Sequence, residues 1–162
     1  MLENMYKRRL RGYSRLGYAP EAVKESDFIT IYTDNCEADL FRDISNAGKS
    51  VITACSYIPA KQLGMLVRNV ESSMQNGAQF LFVTRNSVSA YQSRLLEILT
   101  AHSIAHTVKN YLPHSFTVID SRIVWYSGGE LFKANEDEPV LHIEDKVLAG
   151  ELIAAVGIER FG

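Results

Sequence analysis

The sequence predicts an α/β fold in which a mixed β-sheet is flanked by helices, and three observations support this. Apolar runs rich in β-branched and aromatic residues recur along residues 28–158, as is typical of strands. In the first half, these runs alternate with segments of helical apolar period, which indicates parallel strands with right-handed crossovers. In the second half they follow one another directly, which indicates hairpins on the same sheet.

The elements are predicted in the order β-α-β-α-β-α-β-β-β-β-α. Each helix starts at a residue suited to capping or opening it, and glycine ends the first two. The strands are predicted at 28–32, 51–54, 80–83, 104–108, 116–119, 123–126 and 139–143. The helix starts are Asp34 or Asn35, Pro59, Ser87 or Ser89, and Asp145, and the helix-ending glycines are Gly48 and Gly77.

Composition is typical of an ordinary globular protein. The 162 residues are 46% hydrophobic and 22% charged, with a net charge of −2, so no global attraction to nucleic acid or acidic membranes is expected. No apolar run approaches the ~20 residues that span a bilayer, and no signal peptide is recognisable. Two cysteines without zinc-site spacing favour a reducing, cytoplasmic setting. No cofactor and no metal is predicted.

Charge is unevenly distributed, which suggests two parts. Residues 1–25 are predicted to form a basic arm or linker, and residues 26–162 the folded domain. Five cations of the arm stand together with no acid among them: Lys7, Arg8, Arg9, Arg11 and Arg15. Its tyrosines, Tyr6, Tyr13 and Tyr18, either stack on nucleic-acid bases or belong to a solvated linker.

The stretch 112–132, LPHSFTVIDSRIVWYSGGELF, carries the most specific pattern. Its two apolar runs are joined by a polar turn at Asp120 and followed by Ser127, Gly128 and Gly129. Small residues at a strand end allow backbone N–H groups to approach an anion, although the two glycines can equally be a plain strand end. Asp120 likewise suits either a site or the turn itself.

This stretch resembles the motif strand of the phospholipase D-like superfamily, whose pattern is His-x-Lys, four residues, Asp, then IVWYGS and Asn. Aligned on the apolar runs, the His position falls on Pro113, the Lys position on Ser115 and the Asp position on Asp120. The Gly-Ser pair falls on Ser127-Gly128 and the Asn position on Glu130. The segments KSVITACSYIP, NGAQFLFVTR and HIEDKVLAGELIAAV are also similar to elements of one half-domain of that superfamily.

The resemblance implies a phosphodiesterase fold with a degenerate motif. In the family one histidine attacks phosphorus, a second protonates the leaving group, and two motifs therefore meet. The candidate catalytic residues here are His114 and Asp120. The candidate phosphate-binding positions are Ser115, Ser127, Gly128, Gly129 and Glu130.

His114 is one residue out of register with the motif histidine. Because strand side chains alternate, it should point away from the motif face. If His114 is instead the motif histidine, the Lys position becomes Phe116 and the Asp position Ser121, so either register lacks the lysine. His114 then either acts as a displaced catalytic residue or is a strand histidine with a structural partner. The pair His102 and His106 lies across a predicted helix end and is not expected to bind metal.

Three functions follow as expectations. The leading one is a non-catalytic, nucleic-acid-associated accessory or dimerisation module, similar to domains attached to DEAD/DEAH-type helicases and to nucleases, with a helicase or other ATPase as parent chain. The alternative is a homodimeric phosphodiesterase or nuclease that uses His114. The third is a scaffold that forms a homodimer without nucleic-acid affinity. No membrane partner is expected.

Overall fold

One seven-stranded mixed sheet organises the molecule. A computed structural model describes residues 29–87, 89–112, 114–129, 131–132 and 138–157, and within these it contains the sheet and four helices. The strand order is β1-β7-β6-β5-β2-β3-β4. The elements are β1 (Ile29–Tyr32), α1 (Glu37–Ser45), β2 (Ser50–Ala54), α2 (Ala60–Gln75), β3 (Gln79–Arg85), α3 (Ala90–Ala101), β4 (Ala105–Lys109), β5 (Ser115–Ile119), β6 (Ile123–Ser127), β7 (Val140–Glu144) and α4 (Lys146–Ala155).

This architecture confirms the predicted α/β fold and the predicted element order. β2, β3 and β4 are parallel neighbours, and β5, β6 and β7 are joined by antiparallel pairing. β1 points the same way as β2 but pairs with β7 at the far edge of the sheet. The β5-β6-β7 segment therefore lies between the first two strands, a separation that alternation alone did not predict.

The two faces of the sheet bury separate cores. The first, here called the three-helix face, packs α1, α2 and α3 against alternate strand residues that include Val51, Phe82 and Trp125. The second, the α4 face, packs α4 against the intervening residues, which include Phe116 and Tyr126. Since every strand residue belongs to one face or the other, the position of each motif side chain follows from its register.

Local sequence signals set the helix limits. Pro59 and Ser89 occupy the N-cap positions of α2 and α3, as predicted. Asp145 caps α4, where its Oδ1 accepts the backbone N–H groups of Val147 and Leu148. Gly77 follows α2 with a φ of +92°, a left-handed conformation that glycine adopts without a Cβ penalty.

The edge at which β2, β3 and β4 end, here called the carboxyl edge, also receives the start of β5 and the end of β6. The start of β5 lies there because β5 runs antiparallel to β2, which places Phe116 beside Ala54. The end of β6 lies there because Ser127 pairs with Ser115. In open α/β sheets ligands bind outside the carboxyl ends of the parallel strands. The carboxyl edge is therefore where a site is expected.

Within the described ranges, no helix combines the length and apolar character needed to cross a bilayer.

Candidate functional site

The motif hairpin consists of β5 and β6, and its two ends differ in character. At the turn, Asp120 and Ser121 adopt left-handed φ values of 54° and 53°. At the carboxyl edge, Ser115 of β5 pairs with Ser127 of β6. Two positions further along β5, Thr117 pairs with Trp125. Ser115, Thr117 and Ser127 share the three-helix face by alternation, whereas His114 and Tyr126 belong to the α4 face.

His114 is held on the α4 face. Its Nδ1 atom lies 2.8 Å from the Tyr126 hydroxyl, and the two ring centroids are 5.4 Å apart. Tyr126 belongs to the core cluster beneath α4. The imidazole therefore points away from Ser115 and Ser127, as strand alternation predicts for a histidine one residue out of register.

Asp120 lies at the opposite end of the same strand from His114. Six residues of extended chain separate them by about 20 Å. The carboxylate of Asp120 accepts backbone N–H groups from Gly48, Lys49 and Ser50 at 3.2, 2.7 and 3.1 Å. The structure does not bring the two candidate catalytic residues together, and the contacts of Asp120 tie the hairpin turn to the start of β2.

The electrostatics of Asp120 agree with this role. Partial burial disfavours the charged carboxylate, but the three N–H groups outweigh burial, and Arg122 adds to their effect. Together they lower the pKa of Asp120 below its usual value. The ionised form is the one that holds the turn.

Ser115 and Ser127, two of the predicted phosphate-binding positions, are closed to solvent. Ser127 is 0% and Ser115 6% exposed. The Ser127 hydroxyl accepts the backbone N–H of Gly129 at 3.1 Å. On the three-helix face, Leu131 is fully buried, and Phe132 stacks on Phe41 with centroids 6.0 Å apart.

The Glu138 carboxylate covers Gly129, whereas the space around Gly128 is open. A Cβ added to Gly129 would collide with the carboxylate oxygens of Glu138. An anion approaching Gly129 would therefore meet a negative charge at contact distance, which opposes its binding. The remaining motif positions, Pro113 and Glu130, lie outside the described residues.

A second pair of hydroxyls lies deeper on the same face. The Thr53 and Thr117 Oγ1 atoms are 3.1 Å apart, and both side chains are fully buried. Each hydroxyl is therefore the hydrogen-bond partner of the other, at a position that water does not reach. The sequence predicted neither this pair nor the Glu138 contact, since the partners are far apart in the chain.

Trp125, the tryptophan of the motif strand, is a core residue. Its indole Nε1–H donates to Asp43 Oδ2 at 3.0 Å, and the same oxygen lies 3.3 Å from His142 Nε2. The Trp125 ring packs edge-on against His142 and tilted against Tyr32. These contacts join β6, β7 and β1 to α1.

The other chemistry-bearing side chains have structural positions. Both cysteines are buried, and burial raises the pKa of Cys55 to about 12 and that of Cys36 to about 11. His102 contacts Glu71, whereas His106 contacts the Ile104 carbonyl oxygen. In the described part of the chain, no three His, Cys, Asp or Glu side chains are grouped as metal ligands would be.

Charge divides the sheet into two halves. From residue 51 to residue 119 the chain carries only two acids, Glu71 and Glu97, while the five basic residues are Lys61, Arg68, Arg85, Arg94 and Lys109. Most acids of the described domain lie elsewhere. The predicted arm cations, Lys7, Arg8, Arg9, Arg11 and Arg15, lie outside the described residues.

Comparison with known proteins gives similarity at the level of fold. No protein-family model matches the chain, and no curated protein matches it. Among solved structures, TrmBL2, an archaeal chromatin protein described as showing a novel mode of DNA binding, matches with a TM-score of 0.58 at 11% identity, covering 94% of this chain and 60% of that chain. Polyphosphate kinase from Porphyromonas gingivalis gives 0.58 at 12%, covering 83% and 24%.

Phosphatidylserine synthase from Haemophilus influenzae, a phospholipase D-like protein, also matches, with a TM-score of 0.51 at 11% identity, covering 79% of this chain and 36% of that chain. The chain spans less than two thirds of the length of each of these three structures. At such identities the likeness concerns the fold, and it agrees with a phospholipase D-like mixed sheet flanked by helices.

Proposed function

We propose that this protein is a non-catalytic phospholipase D-like module that associates with nucleic acid. The main support for the absence of catalysis is that the predicted phosphate-binding residues Ser127 and Gly129 are closed to an anion. Ser127 is buried and bonded to the Gly129 N–H, and the Glu138 carboxylate covers Gly129. Phosphoryl transfer through a histidine needs a nucleophile at phosphorus and positive charge around the phosphoryl oxygens.

Neither requirement is met by the described residues of the motif site. The Lys position holds Ser115, and the neighbouring His114 contacts Tyr126 on the other face of the sheet. Exchanging a phosphate-clamping cation for serine removes a charge-assisted hydrogen bond worth about 2–3 kcal/mol. An anion would also have to displace Glu138.

Three observations support nucleic acid as the partner. The arm places five cations within residues 7–15, which suits sequence-independent phosphate contacts. The half of the sheet formed by residues 51–119 has three more basic than acidic residues, five against two. TrmBL2, which shares the fold, is described as a DNA-binding chromatin protein. We assign the arm cations as phosphate contacts and residues 26–162 as the folded module.

The wider setting of the module is part of the same proposal. We propose a cytoplasmic accessory domain of a DEAD/DEAH-type helicase or related ATPase, on family resemblance alone, since these 162 residues contain no Walker motif. We also propose a homodimer formed through the motif face. Light scattering coupled to size-exclusion chromatography tests the dimer, and a monomer at high micromolar concentration contradicts it.

Titration of fluorescent single- and double-stranded DNA at 50 mM and 200 mM salt tests the proposed function. We expect binding at the lower salt concentration that weakens by at least tenfold at the higher one, because phosphate contacts release counterions. A variant with the five arm cations changed to alanine should bind more weakly. If wild-type protein binds neither form at 50 mM salt, nucleic-acid association is wrong.

The alternative function is a homodimeric phosphodiesterase in which His114 acts as a displaced nucleophile. His114 is only half-buried at the carboxyl edge, which leaves it within reach of a substrate. Its contact with Tyr126 and its distance from Asp120 weigh against this role. A hydrolysis assay with a His114 variant decides between the two functions.

A further inference from the structure

The carboxyl edge of β2, β3 and β4 combines exposed aromatic rings with uncompensated positive charge. Tyr57 follows β2 and is 46% exposed, and Tyr111 follows β4 and is 80% exposed. They are the most exposed large aromatic side chains among the described residues. A ring face open to solvent can stack on a nucleic-acid base, so both rings are candidate stacking positions.

The ends of β3 and β4 are fixed relative to each other between these rings. The Asn86 backbone N–H donates to the Lys109 carbonyl at 2.7 Å, and the Asn86 amide donates to the Asn110 side chain at 3.3 Å. Two strand spacings separate β2 from β4, or about 10 Å. A single nucleic-acid strand covers that distance with roughly three stacked nucleotides.

A small apolar cavity lies beside Tyr57. It has a volume of about 140 Å³ and lies between the start of α2 and the face of α3; its lining includes Tyr57, Ile58, Leu63, Tyr91 and Arg94. A cavity of about 150 Å³ accepts one benzene ring. The volume is therefore sufficient for one planar ring.

Two hydrogen bonds hold Tyr91 in the wall of this cavity. The Tyr91 hydroxyl accepts the Ile58 backbone N–H at 2.7 Å and donates to the Ile58 carbonyl oxygen at 3.2 Å. The rings of Tyr57 and Tyr91 lie 4.9 Å apart and are tilted by 35°. A ring entering the cavity would meet an aromatic pair already held in position.

The cations at this edge are available to phosphates. Lys61, Arg85 and Arg94 are exposed, and no ion pair within the described ranges involves any of them. The two acids of residues 51–119 lie further along the helices, Glu71 in the last turns of α2 and Glu97 three residues after Arg94. The edge therefore presents positive charge next to aromatic faces.

We propose that the carboxyl edge of β2, β3 and β4 binds single-stranded nucleic acid, with bases stacked on Tyr57 and Tyr111 and phosphates beside Arg85 and Arg94. Base stacking on aromatic side chains and a cationic track for the backbone together bind single strands with little sequence preference. A duplex keeps its bases stacked internally and cannot use the rings. This inference rests on the proposed function and assigns it a surface separate from the arm.

The experiment measures the affinity of the full-length chain for a fluorescent 12-residue oligothymidylate and for a duplex of equal length. Changing Tyr57 or Tyr111 to leucine should weaken single-strand binding between about 5-fold and about 100-fold, while phenylalanine at either position should retain it, because leucine lacks a π-face. Duplex affinity should change less than twofold. Tyr111 is 80% exposed, so the thermal midpoint of Tyr111→Leu should stay near that of the wild type; at position 57, the phenylalanine variant keeps the ring beside Tyr91 and serves as the matched control.

A matched pair of arginine variants tests the cationic track. Arg94→Ala should lower the slope of log affinity against log salt by about 0.7 for single strands. Arg122→Ala removes the same charge from the hairpin turn at the opposite edge, and it should leave the slope unchanged.

Three outcomes would overturn the inference. If the leucine variants bind oligothymidylate like wild type while the arm variant loses binding, this edge is not the surface, and the proposed function stands. If polyglutamate displaces the oligonucleotide at equal charge concentration and the phenylalanine variants are weakened like the leucine ones, the edge accepts acidic protein segments instead. If wild type binds neither strand form at 50 mM salt, the proposed function fails together with the inference.

Discussion

The imidazole of His114 and the hydroxyl of Tyr126 are hydrogen-bonded at 2.8 Å on the α4 face, whereas Ser115 and Ser127 lie on the three-helix face. A histidine that attacked phosphorus at the motif site would have to leave this partner and cross the strand. We therefore expect no hydrolysis of bis(p-nitrophenyl) phosphate or DNA by the purified protein, and no change on His114→Ala. Turnover that His114→Ala abolishes would establish the phosphodiesterase alternative.

The Asp120 carboxylate should stabilise the fold through the turn. Asp120→Ala removes the acceptor of three N–H groups and places a Cβ residue without a local hydrogen bond at a φ of 54°, so unfolding free energy should fall by about 2–3 kcal/mol. Asp120→Asn tolerates the left-handed conformation and keeps one acceptor, so it should lose about 1 kcal/mol. Urea denaturation measures both, and equal stability of all three proteins would refute the role.

The contribution of Asp120 should depend on pH with a defined sign. Because its folded-state pKa is lowered, the carboxylate stabilises the fold above its unfolded-state pKa of about 4, and this stabilisation is lost as the pH falls through the folded-state value. The difference in unfolding free energy between wild type and Asp120→Asn should therefore be constant from pH 7 to pH 5 and narrow below pH 4. A difference that widens on acidification would contradict the argument.

The buried hydroxyls of Thr53 and Thr117 should be strongly coupled. Thr53→Val or Thr117→Val leaves the other hydroxyl buried without this partner, which costs about 1–3 kcal/mol. The double variant replaces both polar groups with apolar ones and should be less destabilised than the sum of the two. A double-mutant cycle by urea denaturation measures the coupling, and additive single effects would show that the hydroxyls do not satisfy each other.

Both thiols should be unreactive in the folded protein. Burial raises the pKa of Cys55 to about 12 and of Cys36 to about 11, so at pH 8 the thiolate fraction of Cys36 is on the order of one in a thousand. Ellman's reagent should label neither thiol within minutes, and should label both in guanidinium chloride. Immediate labelling of one thiol under native conditions would place it at the surface.

Local signals made much of the fold predictable from the sequence. Pro59, Ser89 and Asp145 start their helices in the predicted places because each satisfies or tolerates the N-cap geometry by itself. Strand alternation also predicted that His114 would point away from Ser115. Both kinds of inference depend only on residues within a few positions of each other.

What could not be predicted depends on contacts between distant segments. Gly129 is covered by Glu138, which lies nine positions further along the chain, and Thr53 meets Thr117 across 64 residues. The position of β1 beside β7 likewise depends on where the later hairpin lies. Tyr57 and Tyr111 carry no motif, and only their exposure in the folded protein distinguishes them from core aromatics such as Trp125.

Our central proposal is that this mixed sheet binds nucleic acid without cleaving it. The most direct measurement is an electrophoretic shift with an end-labelled oligonucleotide, followed by determination of the length of the strand recovered from the shifted complex. We expect a retarded complex that weakens as salt rises and yields full-length strand. The proposal is wrong if the strand is shortened by the wild type and stays full-length with the His114→Ala protein, or if no complex forms at low salt.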